Sequence, residues 1–101
     1  MKMFLNADWA ERDYRIDVVN PYSGEAFDTV PAATPADVTS AVAGLVEGAK
    51  LMAAMPARER CAILRKAAVL LREREEEVGT LISTEEGKIL VEGKLEVTRA
   101  A

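Results

Sequence analysis

Histidine is missing from this 101-residue sequence, and cysteine occurs once. Without an imidazole, no side chain has an ordinary pKa near neutrality. That excludes most acid–base sites and the usual activation of a cysteine nucleophile. One cysteine makes no internal disulfide, and the metal ligands that remain are carboxylates, with no D-x-D-x-D-G loop for calcium. A G-x-G-x-x-G turn is also lacking. Gly87-Lys88 looks like the end of a phosphate loop, but the upstream glycine is absent and Ile89 stands where Ser or Thr is required. Aromatic residues make up only 5%, so Leu, Val and Ala carry most of the packing. The start MKMFLNADW has no apolar run long enough for a signal sequence or a membrane span. A net charge of −4 and a pI near 4.9, with nothing basic clustered along the chain, argue against a phosphate-coating surface and hence against nucleic acid. These absences describe a soluble cytoplasmic protein with a reduced thiol.

What is present is ordinary globular composition, 50% hydrophobic and 30% charged, enough for one domain of modest core. The chain is organised around Pro56 to Lys88. Wound as a helix, this stretch places Cys61, Ile63, Leu64, Ala67, Ala68, Leu70 and Leu71 on one arc and Arg58, Glu59, Arg65, Lys66 and Arg72 on the other. Val78, Leu81 and Ile82 return to the apolar arc, which predicts one kinked helix or two helices in phase. Gly87 is the expected left-handed C-terminal residue, with Lys88 beside the free carbonyls.

Before this stretch, alternation and turn residues predict two β-hairpins over about residues 3–30. The first turns at Asn6-Ala7-Asp8 and the second at Asn20-Pro21-Tyr22-Ser23-Gly24-Glu25, where Gly24 supplies a positive φ. Thr34-Pro35-Ala36-Asp37 predicts a capped helix start, and apolar spacing extends that helix over about 35–54. Gly44 and Gly48 inside it suggest close helix packing. Further helices are expected over about 57–86 and about 89–101. Val97 to Ala101 is good helical sequence without a stop signal, and the expectation is a piece of a longer protein.

Individual candidates for chemistry reduce to structural roles. Cys61, on the apolar arc, is expected as a small buried hydrophobe rather than a thiol activated by Arg58 and Arg60. Glu73, Glu75, Glu76 and Glu77 are expected as a solvated face. Glu85 and Glu86 point about 100° apart on a helix and do not grip one substrate atom together.

The order of short motifs is more informative than any one of them. Phe4-Leu5-Asn6-Ala7-Asp8-Trp9, Val19-Asn20-Pro21-Tyr22-Ser23-Gly24-Glu25, Val30-Pro31-Ala32, Ala36-Asp37-Val38, Arg58-Glu59-Arg60 with Ile63-Leu64, Glu86-Gly87-Lys88 and Glu96-Val97 follow one another from Met3 to Ala101. Together they resemble the N-terminal segment of the NAD(P)-dependent aldehyde dehydrogenase superfamily. The Asn-Pro-Tyr-Ser-Gly-Glu and Glu-Gly-Lys-Ile forms are most similar to the lactaldehyde dehydrogenase-like branch, which adjoins phosphonoacetaldehyde and non-phosphorylating glyceraldehyde-3-phosphate enzymes. The resemblance implies an α+β, mainly α, fold: N-terminal hairpins, then three to four helices, forming part of an NAD-binding domain. It implies an oxidoreductase in which a cysteine thiolate attacks an aldehyde, hydride passes to NAD or NADP, and a glutamate-activated water releases the acid. The family's catalytic and dinucleotide-binding residues lie beyond the position of Ala101. No catalytic, cofactor-binding or metal residue is therefore assigned within 1–101, and no cofactor is expected to bind this segment alone.

The implied partners are a small-molecule aldehyde and further copies in a homo-oligomer, with self-association through the exposed apolar faces. Departures from the family are Asn6-Ala7-Asp8 where a glycine is common in the first turn, Gly93 in the last helix, where fraying is expected, and Arg74 near a helical position that serves a monovalent cation in relatives. The alternative from another class is a stand-alone helical interaction or regulatory module.

Overall fold

Two turns shape the N-terminal third. β1 (Met3–Leu5) and β2 (Asp8–Ala10) pair antiparallel with Met3 opposite Ala10, Phe4 opposite Trp9 and Leu5 opposite Asp8. Asp8, read from the sequence as part of the turn, is thus a strand residue, and Asn6-Ala7 alone makes the reversal. Both turn residues are left-handed, with φ of 50° and 66°. That is the twist a two-residue hairpin needs. Asparagine tolerates it, whereas alanine's Cβ meets the following carbonyl at a cost of about 1–2 kcal/mol. Phe4 and Trp9 compensate in part across the strands, edge to face with ring centroids 5.1 Å apart. β3 (Arg15–Val19) and β4 (Ala26–Pro31) pair around Asn20–Glu25. Here Asn20 Oδ1 accepts from the Tyr22 N–H at 2.9 Å, the Gly24 N–H donates to Asn20 O at 2.8 Å, and Gly24 takes φ 74°.

Four helices follow: α1 (Pro35–Ala54), α2 (Ala57–Glu73), α3 (Glu75–Glu86) and α4 (Leu90–Ala100). The computed structural model describes residues 1–101 and gives a mainly helical α+β chain. Backbone contacts divide it into two units, Met1–Val18 with Ala26–Met55, and Val19–Glu25 with Pro56–Ala101.

In the first unit, α1 starts at a reciprocal cap. Asp37 N–H donates to Thr34 Oγ1 at 3.2 Å, and Thr34 N–H donates to Asp37 Oδ2 at 2.9 Å. Pro35 sits at the first helical position, and Pro56 follows the extended C-terminal cap residue, Met55. Gly44 does not face another helix, as its spacing suggests. Instead the Asn6 side chain lies where a Cβ on Gly44 would be, and its amide donates to Ser40 Oγ at 2.9 Å. Gly48 has no neighbour within 4 Å of a Cβ. Arg15 gathers the strands, donating to Thr29 Oγ1 at 2.8 Å, Thr29 O at 2.9 Å and Met1 O at 2.6 Å.

In the second unit, the long apolar pattern is two helices broken at Arg74. That residue leaves helical geometry at φ −109° and ψ 20°. Its guanidinium then holds Glu77, in the first turn of α3, through bonds of 2.9 and 2.6 Å. α3 ends at Gly87 with φ 72°. The seam between α3 and α4 is built on two buried glycines, Gly79 and Gly93. A Cβ on Gly93 would lie 2.5 Å from Gly79 O, and one on Gly79 would lie 2.7 Å from Lys94 Cγ. Gly93 is therefore not a point of fraying: it lets α4 approach the α3 backbone. Val97, one turn further, is 2% exposed and is the only buried hydrophobic residue. The other apolar arcs face solvent, with Leu45 72% and Leu64 70% exposed.

The two kinds of helical glycine give opposite expectations. Gly93→Ala gains about 1 kcal/mol of helix propensity but overpacks the seam at about 1–3 kcal/mol, so the urea midpoint should fall. Gly48→Ala meets nothing and should raise it. A Gly93→Ala chain as stable as the parent would show that the seam is not close-packed.

Candidate functional site

Two motif stretches more than sixty residues apart in sequence meet in the second unit. The β3–β4 turn brings Asn20 and Tyr22 to a recess of about 320 Å³ whose other wall is Ser83, Thr84, Gly87, Lys88 and Ile89 at the end of α3. Pro21, between Asn20 and Tyr22, packs against Gly87. Its Cγ would sit 2.9 Å from a Cβ on Gly87, so glycine is needed both for left-handed φ and for this approach. Ser83 Oγ donates to Lys88 O, tying the helix end to the link before α4. Lys88 Nζ lies 2.7 Å from Glu86 Oε2 and also pairs with Glu96. Hydrogen bonds donated to Glu86, then to Glu96, raise its pKa above the ordinary lysine value. A lysine held protonated in this way is neither a nucleophile nor a general base. Ser83 is engaged and has no imidazole to activate it. The recess is a joint between motifs rather than a reaction centre, and nothing in the separate motif readings predicts that they touch.

The remaining sequence candidates are dispersed. Cys61 is exposed, not buried as its place on the apolar arc suggests, because most of that arc, with Ile63, Leu64, Ala67 and Leu70, faces water. Glu85 is exposed and makes no ion pair, whereas Glu86 goes to Lys88. Of the acidic run, Glu77 pairs with Arg74, Glu76 lies 2.5 Å from Lys94, and Glu75 Oε1 accepts from Thr98 Oγ1 at 3.2 Å. The run is solvated, but three of its members are also drawn to partners. No three His, Cys, Asp or Glu side chains stand together as metal ligands. No single helix is long and apolar enough to cross a membrane.

A dinucleotide does not fit the residues present. Phosphate binds at a free helix N-terminus, usually after a glycine-rich strand–helix turn. Every helix here has an acid in its first turn: Asp37, Glu59, Glu75 to Glu77, and Glu92. These carboxylates favour the helix dipole and oppose an incoming phosphate. The left-handed glycines, Gly24 and Gly87, lie in a hairpin turn and at a helix C-terminus.

The residue that sequence reading passed over is Arg12. Its Nε lies 3.0 Å from Asp37 Oδ2, and its Nη2 pairs with Oδ1, which completes the α1 cap with a bidentate ion pair. A lone arginine between strands carries no periodic signal, so only the fold reveals its role.

Fold and seam describe a class first: a mainly helical α+β chain with two N-terminal hairpins and a glycine seam between its last two helices. Comparison with known proteins gives the family. The family model described as the aldehyde dehydrogenase family matches residues 9–101, and the chain belongs to that family. Among solved structures, aldehyde dehydrogenase 21 from Physcomitrella patens, in complex with the reaction product succinate, matches with TM-score 0.92 and 36% identity. That match covers 97% of this chain and 21% of the other. The NADP-dependent glyceraldehyde-3-phosphate dehydrogenase from Bacillus halodurans gives TM-score 0.92 and 34% identity over 97% and 21%. The NAD-dependent benzaldehyde dehydrogenase from Corynebacterium glutamicum gives TM-score 0.88 and 32% identity over 96% and 22%. The chain thus spans about a fifth of the length of the structures it matches, and its fold is that of the N-terminal part of the aldehyde dehydrogenase fold.

Arg12, then the backbone N–H and hydroxyl of Thr34, hold the Asp37 carboxyl well below the ordinary aspartate value of 3.8. The folded state therefore binds this proton more weakly than the unfolded state. The stabilisation is complete above the ordinary value and is lost as pH falls toward the folded one. Urea midpoints measured from about pH 5 to about pH 2 should fall less steeply for Arg12→Met than for the parent; parallel curves would show that the pair is not coupled to folding.

Proposed function

We propose that this chain is the N-terminal part of an NAD(P)-dependent aldehyde dehydrogenase that oxidises an aldehyde to its acid, and that the chain alone is inactive. The observation that carries this reading is the family match over residues 9–101, together with backbone agreement at TM-score 0.92 with enzymes named for aldehyde substrates and NADP. The finer reading is a lactaldehyde-type substrate, supported by the Asn20–Glu25 and Glu86–Ile89 motif forms. The reading includes cytoplasmic location and a homo-oligomer. Residues 1–101 contribute framework: the hairpins and helix faces position the domain that holds cofactor and nucleophile. The lack of any activated nucleophile in the second-unit recess, and the acid in every first helical turn, support inactivity of the chain alone.

Two arms test the proposal. The purified 101-residue chain should form no NADH or NADPH with lactaldehyde, glyceraldehyde-3-phosphate or benzaldehyde, and turnover abolished by Cys61→Ala would contradict it. Exchanged for the matching segment of the Physcomitrella enzyme, the chain should leave a soluble chimera that still reduces the nicotinamide with aldehyde. A chimera that folds but has lost turnover would contradict the assigned framework role.

A further inference from the structure

We draw no further inference here: the strongest candidate, the apolar groove in the first unit between the β1–β2 hairpin and α1, lined by Phe4, Leu5, Gly44, Leu45, Gly48 and Leu51, is an open face of a chain that spans about a fifth of the length of the structures it matches, and nothing in the structure shows what covers it.

Discussion

Apolar side chains stabilise a fold in proportion to the area they remove from water, and in this chain Val97 alone among the hydrophobic residues is buried. Everything else in the architecture follows from that shortage. The helices are amphipathic, yet the arcs of α1 and α2 meet solvent, and the tightest helix contact is the Gly79–Gly93 seam. A helix that finds no tertiary cover relies on propensity and caps, which hold marginally at this length. The chain is well specified locally and thinly held globally.

Polar devices carry much of what order remains. In the first unit, Thr34, Asp37 and Arg12 fix the start of α1, while Asn6 reaches Ser40 and Arg15 gathers the strands. In the second, Arg74 grips Glu77 at the helix break, and Lys88 with Glu86 and Glu96 secures the link into α4. These contacts determine where the elements go. They add less stability than a core would, since exposed ion pairs contribute little. Agreement with enzymes about five times longer gives the same pattern a context: the segment keeps its shape where much more chain surrounds it.

Local chemistry was legible in the sequence because it is written in adjacent residues. Thr34-Pro35-Ala36-Asp37 announces a cap, Gly24 a turn and Gly87 a helix end, and each stands as read. The family, too, was visible in the order of motifs, and the family match agrees. What failed required knowing a neighbour. The arc of Cys61 predicts an interior position, but burial depends on a cover that periodicity does not describe. Gly93 looked like a weakness because helix propensity ignores what lies across the interface, and the Gly79 backbone needs the space a side chain would take. Arg12 and the joining of Asn20–Tyr22 to Gly87–Lys88 depend on long-range placement, which no local pattern encodes.

Native-state hydrogen exchange on the 101-residue chain tests this account most directly, because amide protection reports cover residue by residue. The account predicts that the slowest amides lie in α3 and α4 around Gly79, Gly93 and Val97, and that those of α1 and the outer turns of α2 exchange far faster. Uniform slow exchange across all four helices would mean that the apolar arcs are covered within the chain itself, and would contradict it.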